Sequence, residues 1–466
     1  MAVLQAEGVT FDFEVPVVVV GAGACGLVAA LAAHDAGQDV MVLERDENPT
    51  GSTSLSAGLI PAPCTRLQKE AGIEDSPELF AQDIVAKTHD HTPHDMALVA
   101  AKAAGPMIDW LMDTHKVEFE LVTGFIYPGH SRLRMHGPRS RTGADLEQSL
   151  LAALSNSDID LMTGASVEDL YVDASGRVTG VRFRRPDGAL EMLGCKALVL
   201  ASCGFAGDVA LVQKYIPEIA DAECCGHLSN TGDAVKWGLE IGAAVADMAA
   251  YQGHGSVAHP HALPLTWAVI TMGGILLNTQ GQRFSNEIRG YSEHAAEVAA
   301  QPHNIAWDIY DARGEEAAIG FYDYREIRKL GAVKTANNLE ELASVTGLPL
   351  AAIREELEAI ESCARTGEPD RFGRSFTQDQ VLVAPYYAVK VNGALFHTQG
   401  GLVIDAEARV LREDGTPLPN LLAGGGAARG VSGDSNYGYL SGNGLLTATS
   451  FGRLAGITAA RIAAES

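Results

Sequence analysis

Four consecutive valines at 17–20 run straight into Gly-Ala-Gly-Ala-Cys-Gly at 21–26, and no other junction constrains this chain as strongly. A run of β-branched apolar residues reads as a buried strand, and the glycines carry it round a tight turn into an alanine-rich helix. Gly21 can take backbone angles closed to a residue with a Cβ. Gly23 lets the backbone approach a pyrophosphate, and Gly26 lets the new helix pack closely on the sheet. The positive end of that helix then faces the phosphates. A second apolar strand, Val-Met-Val-Leu at 40–43, ends at Glu44, where a carboxylate can accept bonds from both hydroxyls of a ribose. A lone GxGxxG is a weak signal. Joined to a strand, a helix and a terminal acid, it points to an adenine dinucleotide rather than to a turn with no ligand.

At 466 residues the chain is too long for one simple core, so two domains are expected. Its 47% hydrophobic and 20% charged residues are those of a globular protein. A net charge of −25, from 34 basic and 59 acidic residues, repels phosphate backbones and anionic lipid. Neither a nucleic-acid nor a membrane partner is expected. The N-terminus has no basic patch before its apolar run, and no apolar stretch reaches the ~20 residues of a membrane helix. The seven cysteines (25, 64, 195, 203, 224, 225, 363) form no C-x-x-C pair. That pattern suggests reduced thiols in a cytoplasmic protein, without an iron–sulfur cluster or structural zinc. Adjacent Cys224 and Cys225 leave a redox pair open.

After Glu44 comes a loop of small hydroxyl residues at 51–58, then helical patterns near 77–115 and an amphipathic helix at 145–154. Strand–turn–strand signals follow at 170–183, an apolar strand at 197–201, and a helix that opens near Thr231 and runs through Gly242. From about 246 to 376 strand-like runs such as 274–278 sit beside a charged helical stretch at 338–366. The turn at 278–283 reads as a hairpin loop. The nucleotide-type pattern resumes near Tyr386, with strands ending near 405 and 424, and Gly442-Asn-Gly opens a final helix to residue 463.

Several segments together resemble the flavoprotein family of soluble fumarate reductases, succinate dehydrogenase flavoprotein subunits and 3-ketosteroid dehydrogenases. They are the fingerprint at 21–44, the loop 51–58, Leu200-Ala-Ser-Cys-Gly-Phe, Gly281-Gln-Arg-Phe-Ser-Asn-Glu, His397-Thr-Gln-Gly-Gly-Leu and Ser441-Gly-Asn-Gly-Leu, in the family's order. The resemblance implies an α/β chain with a doubly wound, Rossmann-like FAD-binding domain (1–245 and 377–466) and an inserted α+β capping domain for substrate (246–376). It implies that Gly21, Gly23, Ala24, Cys25, Gly26, Glu44 and Arg45 hold the ADP half of FAD, with Val167 near the adenine. Ser52, Thr53, Ser54 and Gly58 line the flavin, and Ala201, Ser202, Asp233 and Gly424 also touch the cofactor. Backbone N–H groups of Asn443, Gly444 and Leu445 face the flavin at a helix N-terminus, suited to the negative charge of its reduced form. Two departures stand out. Glycine occupies 424–425, where a ribityl-binding glutamate is common, and the 51–58 loop lacks a histidine, so FAD is expected to be non-covalent.

The residues expected at the substrate leave the fumarate-reductase pattern. His254 and His397 match that family's two histidines. Tyr291 and Tyr439 stand where it has arginines, although Arg289 lies close by. Tyrosine cannot supply a bidentate, permanently charged clamp for two carboxylates. The pair, with Tyr439-Leu-Ser, looks instead like the ketosteroid desaturases, most closely those that introduce the Δ4 double bond. A ketone acidifies its α-hydrogen, so one phenol can bond the carbonyl while a second, deprotonated, removes the proton and the β-hydrogen leaves as hydride to flavin N5. A phenol of pKa about 10 is a weak base near pH 7; lowering it by ~3 units corresponds to ~4 kcal/mol. Tyr439 is assigned as base, assisted by Ser441, and Tyr291 as carbonyl donor, with the exchange of roles left open. Phe125, Tyr127 and Trp110 are candidate pocket walls, core packing being the alternative for Trp110. Arg141 and Arg139 are the expected partners of a substrate carboxylate. His89, His91 and His94 read as a polar helix start rather than a metal site. The function expected is α,β-desaturation of a cyclic ketone, either a 3-ketosteroid or a small ring such as 4-oxocyclohexanecarboxylate, which the compact cap favours. An unidentified acceptor takes the electrons. The alternatives are flavin-dependent reduction of an activated alkene, and a flavin-carrying subunit with no substrate of its own.

Overall fold

The computed structural model describes residues 2–123 and 126–466, so Phe125 lies outside the described residues. The chain divides into two compact units, one of Met1–Ile216, Gly226–Tyr251 and His397–Ser466, the other of Pro217–Cys225 and Gln252–Phe396. The second unit therefore ends at 396, beyond the 376 expected from the sequence. The strand Tyr386–Thr398 causes the difference, because it hydrogen-bonds to Ala306–Asp311 and Lys334–Ala336 and carries Glu223–Cys224 as a further neighbour.

In the first unit, Val17, Val18 and Val19 are fully buried and the strand Phe13–Val20 lies inside a sheet of nine strands among the described residues. Parallel strands covered on both faces are apolar throughout rather than alternating, which is what the valine run encodes. Leu190–Leu200 pairs with it on one side and Val40–Leu43 on the other, both parallel. Pro417–Ala423 runs parallel to Leu190–Leu200, so Ala423, Leu200, Val20 and Leu43 align at one carboxyl edge. In such sheets that edge is where ligands bind. Ser166–Val172 and Val178–Arg184 extend the sheet antiparallel through the outer part of Leu190–Leu200. The helices Ala24–Asp35 and Asn443–Glu465 pack closely, with Ala29, Ala455 and Ala459 buried in one core.

The second unit is built on a sheet whose residues alternate between two cores. Ile275, Leu277, Trp307 and Ile309 pack with Ile353 and Ile360 on one face. Leu276, Ala306 and Tyr310 pack with Val298 and Tyr324 on the other. Two details depart from the sequence-based expectation. The helical stretch 338–366 is two helices, Leu339–Thr346 and Leu350–Thr366, because Gly347 adopts φ +75° and Pro349 follows. The turn after Asn278 closes, with the Gly281 N–H donating to the Asn278 carbonyl, but no partner strand follows. Ile275–Asn278 pairs instead with Ala306–Asp311.

Among the described residues no helix is long and apolar enough to cross a membrane, and no group of His, Cys, Asp or Glu could hold a metal ion. None of the seven cysteines is in a disulfide. His89 stacks on Tyr437, His91 bonds Asp434 at 3.0 Å, and His94 opens the helix His94–Asp113.

Candidate functional site

A cleft opens at the carboxyl edge of the first unit's sheet. Gly21 turns the chain there with φ +104°, and a Cβ on it would stand 2.6 Å from the Ala201 carbonyl oxygen. A Cβ on Gly26 would lie 1.8 Å from the Gly21 oxygen, so the helix can begin where it does only without one. The carboxylate of Glu44 accepts from the Ala22 N–H at 2.8 Å and from the Asp46 N–H at 2.9 Å, which fixes it at the cleft wall. Of the expected cofactor residues, Gly21, Gly23, Glu44, Arg45, Val167, Ala201, Ser202 and Asp233 line this cleft. Two of them carry buried polar atoms with no hydrogen-bond partner, Ser202 Oγ and Arg45 Nε, the latter 3.9 Å from Asp46 Oδ1. Leaving such atoms unpaired costs about 1–3 kcal/mol each. With a helix N-terminus whose cap residue, Gly23, has no side chain to fill it and a ribose-type carboxylate at the same edge, they fit a dinucleotide.

The other expected cofactor residues do structural work around the cleft. Thr53 Oγ1 accepts from the Ala24 N–H at 2.9 Å, pinning the 51–58 loop to the helix start. Ser52 Oγ accepts from Asn230 Nδ2 at 3.0 Å and touches Cys203 Sγ. Ser54 Oγ donates to the Gly51 carbonyl, and Gly58, at φ +66°, packs against Thr142. Cys25 is buried against Gly424, and burial pushes its thiol up to about 12, so it is an inert packing group. Sequence reasoning missed Glu147, His227, Asn230 and Trp237, all of which line the cleft. Glu147 lies on the helix Gly143–Ser155 beside the apolar Leu146 and Leu150, and burial pushes its carboxyl up to about 7. A lone acid on the buried side of an amphipathic helix was the available signal.

A second cluster of the same unit forms where Asn443–Glu465 begins. The Gly444 N–H donates to the Tyr439 hydroxyl at 3.5 Å, and the His397 ring meets the tyrosine edge-on, 5.7 Å between centroids. The expectation that neighbours lower the Tyr439 pKa is corrected: burial pushes it up to about 12, against the opposing pull of the Gly444 and Gly442 N–H groups. Desolvation outweighs those two dipoles. His397 is pushed down to about 4 by burial and is neutral at pH 7. The Ser441 carbonyl accepts from His130 Nε2 at 3.0 Å. Behind His130 lies the fully buried Arg134, held by Asp75 at 2.9 Å and by Asp83. Tyr127 packs on Leu59, Val122 and Met135, and burial pushes its hydroxyl up to about 12 despite the opposing charge of Arg141. Arg139 and Arg141 are exposed. Trp110 is packed away from both clusters, donating to Asp35 at 2.9 Å beneath Arg453, so packing explains it.

In the second unit, His254 and Tyr291 stack at 5.0 Å, with Trp267 and Phe396 around the histidine. The Ser256 N–H donates to His254 Nδ1 at 3.1 Å, and burial pushes the ring down to about 3, so the neutral ring carries its proton on Nε2. The Gly281-to-Glu287 motif anchors this region. Arg283 bonds Glu287 through two nitrogens at 2.8 and 2.6 Å, and Arg374 adds a third bond at 2.8 Å. Burial opposes ionisation of Glu287, but these guanidinium groups win and hold its carboxyl down at about 2. Arg289 sits on the surface, 3.4 Å from Glu297.

A family model described as FAD binding domain matches residues 16–445. The chain is 30% identical over 478 residues to a urocanate reductase of Eggerthella lenta, covering 99% of this chain and 77% of that one. It is 28% identical to a flavocytochrome c3 fumarate reductase solved in an open conformation, at a TM-score of 0.82, covering 97% of this chain and 79% of the other. A 3-ketosteroid-Δ4-(5α)-dehydrogenase of Rhodococcus jostii, solved with 4-androstene-3,17-dione, is 25% identical, with a TM-score of 0.78 over 99% of this chain and 100% of its own.

Proposed function

The chain belongs to the FAD binding domain family and is an FAD-dependent oxidoreductase acting on CH–CH groups, and on that premise we propose that it desaturates a cyclic ketone beside its carbonyl. The observation that carries this reading is the charge state of the two clusters. The groups at 254, 397 and 439 are neutral at pH 7. Of the guanidiniums, buried Arg134 is held by Asp75 and Asp83, and Arg289 lies on the surface beside Glu297. Neutral donors suit a carbonyl oxygen; a dicarboxylate calls for fixed cations.

When bound, held at Gly21, Gly23, Glu44 and Ser202 and by N–H groups of Asn443–Leu445, FAD supplies the hydride acceptor. The protein's own part is to polarise the ketone and move one proton. A phenol pushed up to about 12 keeps its proton at pH 7, so Tyr439 is assigned as donor to the carbonyl oxygen. There it stabilises the enolate-like charge that builds as the α-proton departs. Tyr291, in its phenolate form, takes that proton and becomes the neutral phenol, the exchange of roles that the sequence left open. The substrate class is a small ring ketone such as 4-oxocyclohexanecarboxylate, or a 3-ketosteroid.

Anaerobic mixing with a panel of saturated cyclic ketones and ketosteroids tests the proposal. Bleaching of the flavin by one of them is the expected result; no bleaching across the panel overturns it. A second reading, reduction of an activated alkene, is favoured by the names of the urocanate and fumarate reductase relatives. It predicts that urocanate or fumarate reoxidises the reduced flavin while the ketones leave the oxidised flavin unchanged.

A further inference from the structure

His397 is the head of a buried chain of side chains whose hydrogens all run one way. The far end is the backbone carbonyl of Val431, which can only accept, and Asn443 Nδ2 donates to it at 3.2 Å. The same amide nitrogen donates to Ser432 Oγ at 3.3 Å, which leaves the serine's own proton for Gln399 Oε1 at 2.8 Å. With its oxygen so engaged, Gln399 turns its amide nitrogen to His397 Nδ1 at 2.7 Å. Asn443, Ser432 and Gln399 are all at most 4% exposed, so water does not scramble the sequence of donors. A competing acceptor for an Nδ1 proton is the Thr398 carbonyl, at a long 3.4 Å, and Gln399 Nε2 also reaches that oxygen at 3.5 Å. The shorter bond decides: Nδ1 accepts, and the ring's proton is on Nε2.

That proton has a destination. A methyl group at Gly444 would meet the His397 ring at 2.8 Å from Cε1 and 3.0 Å from Nε2, and would lie 3.5 Å from the Tyr439 hydroxyl, so both donors flank Gly444 at the helix start. We propose that Gln399 is a positioning residue which, through the Val431–Asn443–Ser432 relay, locks His397 as an Nε2–H donor, so that His397 and Tyr439 offer two neutral hydrogen bonds to one substrate oxygen. The tautomer stands on the geometry alone; the shared oxygen rests on the ketone reading above. Gln399 acts through His397, because its amide faces Ser432 and the His397–Thr398 segment rather than the space itself.

The test uses the FAD-loaded enzyme with 15N-labelled histidine, the His397 signal being assigned by its loss in His397→Gln. At pH 7 the wild type is expected to show an acceptor-type Nδ1 and a protonated Nε2; a protonated Nδ1 overturns the relay. Gln399→Glu places a carboxylate at Nδ1 and is expected to reverse the pattern, while Gln399→Met keeps the volume and releases the tautomer. An Nδ1 that stays an acceptor in Gln399→Glu also overturns the relay. For the function, Gln399→Glu is expected to weaken kcat/KM for whichever ketone bleaches the flavin by at least ~10-fold, as expected when a buried donor is lost. Gln399→Met is expected to recover part of that loss. If the tautomer reverses and kcat/KM is unchanged, the shared-oxygen contact is overturned. Because the tautomer is read without substrate, a panel on which no ketone reacts defeats the ketone reading, while the 15N pattern still supports or overturns the relay.

Discussion

The two ends of the first unit's site are built by opposite means. At the cleft, backbone opens the room: Gly21 and Gly26 leave space that a Cβ would close, and Glu44 is the wall carboxylate fixed by backbone N–H groups. At the start of the helix Asn443–Glu465, side chains do the work, and their protonation depends on burial and on relays through Gln399 and His130. A backbone site is written in which residues lack a side chain, so it tolerates few substitutions. A side-chain site can keep its shape and still lose its chemistry when one hydrogen-bond partner changes.

The sharpest test of that contrast is Gly21→Ala. Its Cβ would meet the Ala201 oxygen at 2.6 Å with φ at +104°, so a loss of ~3 kcal/mol or more and purification without flavin are expected. Flavin absorbance per protein checks it; a full complement of flavin would break the backbone half of the comparison. Next in size, Tyr439→Phe is expected to retain flavin yet slow bleaching by the active ketone at least ~100-fold. Stopped-flow mixing reads the rate, and the wild-type pH profile should persist in this variant and flatten in Tyr291→Phe. The reverse outcome would return the base role to Tyr439. Glu44→Gln is expected to weaken FAD binding about 10-fold, measured by titrating the apoprotein, with little change in the rate of the bound flavin.

The smallest effect concerns Glu147, whose folded pKa of about 7 stands above the ordinary glutamate value of 4.5. The folded state then binds more protons than the unfolded one between these values. Its contribution to stability is therefore greatest below pH 4.5 and falls as pH rises to about 7. Glu147→Gln should flatten that decline and raise the midpoint of thermal unfolding at pH 7.5, with an effect of about 1 kcal/mol. An unchanged pH slope would mean the carboxyl is already ionised in the folded protein.

Much of the cleft was legible in sequence because its signals are local. A valine run needs a two-sided sheet, and a glycine needs no partner to be recognised as the residue that fits. Glu147 and Asn230 escaped notice because helix and loop residues reach the cleft from 100 and more positions away; the acid beside Leu146 and Leu150 marked Glu147 as buried, but not what it faces. The cysteine at 25 illustrates the converse: its place inside the fingerprint suggested cofactor contact, and the structure packs it against Gly424.

By itself the sequence determined the α/β class, the glycine turn between the first valine strand and its helix, and the presence of tyrosines where the family's fumarate reductases are expected to have arginines. Only the tertiary structure decided that the second unit runs to Phe396, that Arg134 is held by carboxylates, and that Gln399 is the partner facing His397 Nδ1. Backbone conformation follows from neighbours along the chain. Charge state and tautomer follow from desolvation and from partners dozens to hundreds of residues away, which folding alone brings within about 3 Å.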